Sequence, residues 1–170
     1  NFAVFRVQRE VGRSNFGGMF VNRQGVGDLA PADDYNRAYG LDLAWQATTN
    51  GKLFAFIART DSPASKGGSD YAGRAYYTYA NDLWNGNVGY SQVGEDFNPE
   101  VGFLPRRAYR QIESRYNLTY QPTQWPWIRR ISPHANFRVF TDLENRLESS
   151  HGHWHFFDIR TRQGARFGYL

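Results

Sequence analysis

Three histidines alternate along residues 151–155, as His151-Gly152-His153-Trp154-His155. On a β-strand this spacing turns all three imidazoles to one face. Neutral imidazoles are good ligands for zinc or copper. Same-face neighbours on one strand are separated by about 6–7 Å at Cα, which is awkward for three ligands on one tetrahedral ion. Carboxylates at a matching separation are not evident. The sequence therefore favours a polar stripe for His151, His153 and His155, with metal ligation the weaker reading and no cofactor expected. Ser149 and Ser150 lie beside His151, but adjacent strand residues face opposite ways, so a serine hydrolase has no nucleophile signature here. Catalysis is not expected.

A second chemical set is larger. Asp42, Arg74, Glu113, Arg115 and Arg138, with Asn85, Asn87, Asn117 and Asn136, occupy the polar phase of alternating stretches. An arginine facing lipid at mid-membrane costs about 2–4 kcal/mol, so in a membrane barrel these residues belong to the interior. They would form either a water-filled path with an electrostatic preference or a salt-bridged interior that conducts nothing. Both remain open on the sequence.

These side chains need strands to position them. In residues 39–47, Tyr39, Leu41, Leu43, Trp45 and Ala47 alternate with Gly40, Asp42, Ala44 and Gln46. A helical reading leaves no continuous apolar stripe, so this is an amphipathic strand. Similar alternation predicts strands near residues 2–10, 15–23, 52–60, 70–80 and 84–91, then near 111–120, 130–142 and 149–160. A tenth strand follows the Gln163-Gly164 turn and runs to Leu170. Residues 52–60 are apolar on both faces. Asn50-Gly51 predicts a tight hairpin in which both residues take positive φ. Residues 24–34, 61–69 and 93–107 read as long loops. Connections after the first, third, fifth, seventh and ninth strands are short, those after the second, fourth and sixth long, and that after the eighth intermediate.

The 170-residue chain carries 20 Lys+Arg against 16 Asp+Glu, and 18 of the cations are arginine. Arginine with 17% aromatic content could serve nucleic acid. The arginines nevertheless scatter over every strand and loop, and no nucleic-acid motif is present; no nucleic-acid partner is expected. With no cysteine, disulfide and thiol chemistry are excluded. Mean hydropathy is −0.67, and no run approaches the ~20 apolar residues of a membrane helix. A β-barrel escapes that test, because its strands alternate. Short turns at one end, long loops at the other and 9–13-residue strands suit an outer-membrane barrel. So do apolar faces ending in Tyr or Trp (Tyr39 and Trp45, Trp84 and Tyr90, Tyr116 and Tyr120). Both termini lie in strand-like sequence, so the chain is read as an interior piece of a longer protein.

Residues 93–107 read Val-Gly-Glu-Asp-Phe-Asn-Pro-Glu-Val-Gly-Phe-Leu-Pro-Arg-Arg. With Asn22-Arg23-Gln24, Asn36-Arg37-Ala38-Tyr39-Gly40-Leu41-Asp42 and Ala58-Arg59-Thr60-Asp61, this resembles a bacterial family. It is the domain of unknown function that follows a family-nine-like carbohydrate-binding module in large outer-membrane proteins. The resemblance spans most of the chain, and residues 98–106 are its most specific element. It implies a C-terminal barrel in the bacterial outer membrane, without an established activity and without catalytic residues. Asn98-Pro99 favours a turn, Gly102 permits unusual dihedrals, and Phe97 and Phe103 can pack the loop. Asn98, Pro99, Glu100, Gly102, Phe103 and Arg106 thus mark either an inward constriction or a loop that caps the wall.

The expectation is an all-β, antiparallel up-and-down meander of about nine to ten strands, with residues 1–170 forming one partial barrel domain. It would be a transmembrane barrel or a slice of one, with a channel, transport or surface-display role. Its partners would be outer-membrane lipid, the rest of a longer parent chain, and a small solute or carbohydrate. The alternatives are a soluble barrel or sandwich binding module and, less favoured, an outer-membrane hydrolase.

Overall fold

Alternation of large apolar with small or polar residues favours strands, and turn residues at regular intervals let consecutive strands pair antiparallel. A computed structural model describes residues 1–27, 30–31, 33–65 and 68–168. It contains β1 (Phe2–Val11), β2 (Ser14–Gln24), β3 (Tyr35–Trp45), β4 (Gly51–Asp61), β5 (Tyr71–Ala80), β6 (Trp84–Val93), β7 (Tyr109–Leu118), β8 (Ile128–Ile131), β9 (His134–Thr141), β10 (Leu147–His155), β11 (Asp158–Thr161) and β12 (Arg166–Gly168). No helix occurs among the described residues. Nine strands form one open antiparallel meander in the order β1-β2-β3-β4-β5-β6-β7-β9-β10, and β12-β11-β8 form a small second sheet. The described residues leave β1 and β10 as edges, so the large sheet is not closed.

The register sorts the side chains into two faces. One apolar row runs Val7, Gly18, Leu41, Ile57, Gly73, and the next runs Phe16, Leu43, Ala55, Ala75, Tyr90, Ile112, Val139. Aromatics concentrate on either side of these rows. Phe5, Phe20, Tyr39 and Tyr71 lie towards one end, and Trp45, Tyr77, Tyr79, Trp84, Tyr116, Phe137 and Trp154 towards the other. Neighbouring rings pack at a tilt along these bands, with centroids 5.2 Å apart for Phe20–Tyr39 and 5.7 Å for Phe137–Trp154. The opposite face carries most of the charged and amide side chains; Arg9, Arg37, Arg59, Gln92 and Arg110 lie on the apolar one, all but Arg9 towards the loop end.

Burial is inverted relative to a water-soluble sheet protein. Every buried side chain of the large sheet (Val21, Asn36, Thr60, Ala72, Ser91, Val93 and His155) belongs to the polar face. Leu41 and Ile57, in the middle of the apolar face, are 66% and 59% exposed. Trp45 and Phe137 are exposed as well, and Leu118 is half-buried; they do not seal into a common interior. The main apolar cluster among the described residues is Ala72, Val93 and Phe97, packed with Ala58, Leu104 and Tyr109 beneath the connection from β6 to β7.

Several turns follow their residues. Gly12 and Gly164 take φ of +61° and +92° in the β1–β2 and β11–β12 turns, a region that glycine enters without steric cost. Between β5 and β6, Asn81 Oδ1 accepts the backbone N–H groups of Leu83 and Trp84 at 3.0 and 2.6 Å.

Four expectations need correction. The predicted strand over 130–142 divides into β8 and β9, because Pro133 has no N–H for a ladder. The Ser132 N–H turns instead to Asp158 O at 2.7 Å, joining β8 to the small sheet. The predicted strand over 149–160 likewise divides at Phe156-Phe157 into β10 and β11. Asn50-Gly51 does not form the tight turn. Neither residue has positive φ, the loop occupies 46–50, and the Gln46 amide bridges it by donating to the Thr48 carbonyl at 2.8 Å. Gly51 serves another need, since a Cβ there would collide with the Tyr77 hydroxyl. Finally, the alternation of short and long connections reverses late. The β7–β9 connection at the short-turn end holds β8, whereas β9–β10 at the loop end is the tight turn 142–146. The predicted tenth strand is β12, and its last two positions, Tyr169 and Leu170, lie outside the described residues.

Candidate functional site

Strand alternation places all nine charged and amide residues singled out from the sequence on the polar face. One row contains Asp42, Phe56, Arg74, Ser91 and Gln111, and the next contains Phe54, Tyr76, Gly89, Glu113, Arg138 and His151. Asn87, Arg115, Asn136 and His153 share a third, while Asn85, Asn117, His134 and His155 share a fourth. Like Val4, Met19, Val21 and Phe140, Phe54 and Phe56 also lie on this face, which explains why β4 reads as apolar on both sides. Lys52 Nζ sits 4.9 Å from the Phe54 ring centre.

The ions pair across strands. Arg6 meets Asp42 at 2.9 Å, crossing β2. Arg74 pairs with Glu113 across β6, and Arg138 approaches the same carboxylate at 3.9 Å. Glycine makes both crossings possible. A Cβ on Gly17 would stand 2.7 Å from the Asp42 carboxylate oxygens, and one on Gly89 would stand 3.3 Å from Glu113 Oε1. Arg115 donates to Asn136 Oδ1 at 2.9 Å. Arg6 and Asp42 are both partly open to water, so their pair contributes at most about 1 kcal/mol. The network sets charge positions more than it sets stability.

At the loop end, the connection 94–108 folds onto the polar face. Phe97, 6% exposed, fills the apolar spot made by Ala72 and Val93. Asn36, 2% exposed, donates from Nδ2 to the Asn98 carbonyl at 2.8 Å and accepts the Glu100 N–H at 3.3 Å. The Asn98 N–H donates to Thr60 Oγ1 at 3.0 Å, and Asn98 Oδ1 accepts from Arg107 at 2.8 Å. Glu100 pairs with Arg23, whose guanidinium also meets Asp34 at 2.5 Å. Arg106 pairs with Glu148 and lies over the Tyr109 and Phe140 rings, 5.4 and 5.5 Å from their centres. Of the two phenylalanines expected to anchor the loop, only Phe97 does so; Phe103 is 92% exposed. Gly102 has no positive φ, and a Cβ beside Pro99 there would meet nothing closer than 3.6 Å. Neither its dihedrals nor its space calls for glycine.

At the turn end, the histidines regroup. His151 stands opposite Arg138, one same-face step from His153. The third member of the cluster is His134, directly opposite His155 on β9. The ligand nitrogens of His134, His153 and His155 all lie within 4.8 Å of one another. His155 is 7% exposed, and its Nε2 is buried without a hydrogen-bond partner. Such an orphan costs about 1–3 kcal/mol if nothing satisfies it. His134 Nδ1 lies 3.3 Å from the Ser132 carbonyl. A carbonyl can only accept, so in this contact Nδ1 carries the proton and the Nε2 lone pair is free to accept a hydrogen bond or bind a metal ion. A polar cleft lined by Asn85, Asn117, Thr119, Arg130, Ser132 and Asp158 adjoins His134. Asp158 is held by Arg166 at 2.9 and 3.1 Å. The strand-spacing objection holds for three ligands from one strand; here a second strand supplies the third. Sequence alternation puts His134 in the polar phase, but only the pairing register brings it to His155.

A scan against protein-family models finds no match to this chain, and neither curated proteins nor solved structures yield one. The site is therefore interpreted from its own geometry.

Proposed function

We propose that this chain is wall of an outer-membrane β-barrel, with its aromatic-banded face towards lipid and its charged face towards an aqueous interior. The inverted burial carries the reading: burial gathers on the charged side, while the other face leaves a continuous apolar surface uncovered. A surface of that extent marks a membrane or partner interface. Two aromatic bands flanking aliphatic rows match the girdles at the two membrane interfaces, and the ten or eleven residues of each of β1–β7 match the ~9–11 that a tilted membrane strand needs, β10 having nine and β9 eight. The sequence resemblance points the same way.

The role that follows is passage or display without catalysis. The Arg6–Asp42 and Arg74–Glu113–Arg138 groups would line the interior. The connection 94–108 would fold into the mouth at the loop end and narrow it, selecting small polar solutes or sugars. Edges β1 and β10 would take further strands, because bare backbone N–H and C=O groups are costly in lipid.

Detergent phase partition of the full-length protein is the direct test. Recovery in the detergent phase, with a heat-modifiable band on gels, is the expected result. Recovery in the aqueous phase without detergent would overturn the membrane reading in favour of a water-soluble sheet whose apolar face docks on another layer. Planar-bilayer conductance then separates an open pore from one that the loop plugs.

A further inference from the structure

From the grouping of His134, His153 and His155, we infer that the turn end of the polar face binds one borderline divalent transition metal ion of the zinc–copper type. The inference is independent of whether the apolar face meets lipid.

Three observations carry it. The donors are all imidazole nitrogen, a set that suits zinc, copper or nickel and disfavours magnesium and calcium, which take oxygen. The ring spacing is close to that of ligands around a single ion, and the nitrogens, all within 4.8 Å of one another, would draw in to about 3.4 Å on binding. With metal–nitrogen bonds of about 2.0–2.1 Å, three rings on a tetrahedral centre lie about 5 Å apart between centroids. The observed centroid separations are 4.5 Å (His134–His155), 4.6 Å (His153–His155) and 5.7 Å (His134–His153). Lastly, the most buried of the three, His155, holds an unpartnered Nε2, an atom that a metal ion would satisfy.

The surroundings orient the set. The Ser132 carbonyl fixes the His134 tautomer, the kind of outer partner that aims a ligating histidine. Its fourth position would open towards the polar cleft beside His134, where the Ser132 hydroxyl is also buried and unpartnered. The site would thus keep a place for water or a small ligand, as three-ligand zinc and copper sites do. His151 lies one same-face step along β10 and opposite Arg138, outside the cluster.

The test uses full-length protein in detergent, carrying no affinity tag and stripped with chelator. Zinc is titrated in competition with a chromophoric chelator, and copper(II) binding is followed by electron paramagnetic resonance. One metal ion per chain is expected, with nitrogen hyperfine structure from several imidazoles. His134→Gln and His153→Gln should each weaken binding at least tenfold, while His151→Gln leaves it unchanged. The resonance spectrum of unsubstituted protein reads the ligand set directly, so a variant that fails to fold does not leave the question open. Absence of stoichiometric binding, a spectrum of oxygen ligands only, or equal weakening by His151→Gln would each overturn the inference.

Discussion

An arginine placed at Leu41 asks directly what the apolar face touches. β3 spans eleven residues, Tyr35–Trp45, with Gly40 at its midpoint. At about 3.4 Å per residue and a tilt of ~45°, the strand would cover about 26 Å along the normal of a membrane, close to the ~25 Å apolar band of outer-membrane barrels. Leu41 is one residue from the centre, so in the proposed barrel it would lie within about 2–3 Å of the bilayer midplane. Its strand partner Ile57, one strand spacing away, would lie within about 3–4 Å of that depth. A charge there should cost about 2–4 kcal/mol if lipid covers it. If water covers it, an exposed Leu→Arg change stays within about 0.5 kcal/mol. Urea unfolding of full-length protein in lipid vesicles, followed by tryptophan fluorescence, resolves that difference. Gln8→Arg, on the polar face in the row of Asp42, is the matched control and should change stability by less than about 0.5 kcal/mol. If Leu41→Arg and Ile57→Arg both behave like Gln8→Arg, the lipid-facing assignment is refuted.

Three further outcomes follow from particular contacts. Gly17→Val should cost about 1–3 kcal/mol through crowding at Asp42, whereas Gly18→Ala, whose Cβ meets Leu41 at an ordinary 3.5 Å, should cost less than about 1 kcal/mol in the same unfolding assay. Asn36→Ala removes two of the bonds that hold the loop, a loss of about 1–3 kcal/mol; limited proteolysis should then cut within 94–108, while Phe103→Ala leaves the cleavage pattern unchanged. In the β9–β10 turn, the Arg146 side-chain hydrogen bond, aided by the backbone N–H groups of Arg146 and Glu144, lowers the Asp142 pKa from its ordinary 3.8. A depressed carboxylate stabilises the fold above its unfolded-state value and loses that contribution as the pH falls through the lower folded value. Asp142→Asn should therefore reduce stability at neutral pH and flatten the acid limb below about pH 4, read by unfolding across pH.

Face assignment was the most legible part of this molecule. Period-two alternation needs no knowledge of neighbours, so Asp42, Arg74, Glu113, Arg115 and Arg138 fell on one side together with the four asparagines. Turns and breaks were less legible where alternation stays in phase across them. Ile131, Pro133 and Ala135 continue one stripe through the point where β8 leaves the large sheet. Asn50-Gly51 carries a strong local signal, but the loop that forms is the longer 46–50, spanned by the Gln46 amide, and Gly51 instead leaves room for the Tyr77 hydroxyl. The histidine cluster depends on register, which pairs residues 134 and 155 and has no trace in local spacing. The loop was legible as a loop through its prolines and glycines. Its anchors, Asn36 and Thr60, lie on other strands and were hidden for the same reason as His134.

The count of strands in the open meander has a geometric consequence. With nine strands alternating in direction, the first and last, β1 and β10, point the same way. Joining those two margins directly would make a parallel seam in an otherwise antiparallel cylinder. Bacterial single-chain barrels have even strand numbers. A cylinder of that kind would need an odd number of additional strands between the margins, and a single one would suffice. Parity alone thus separates the two ways this curtain could be sewn shut.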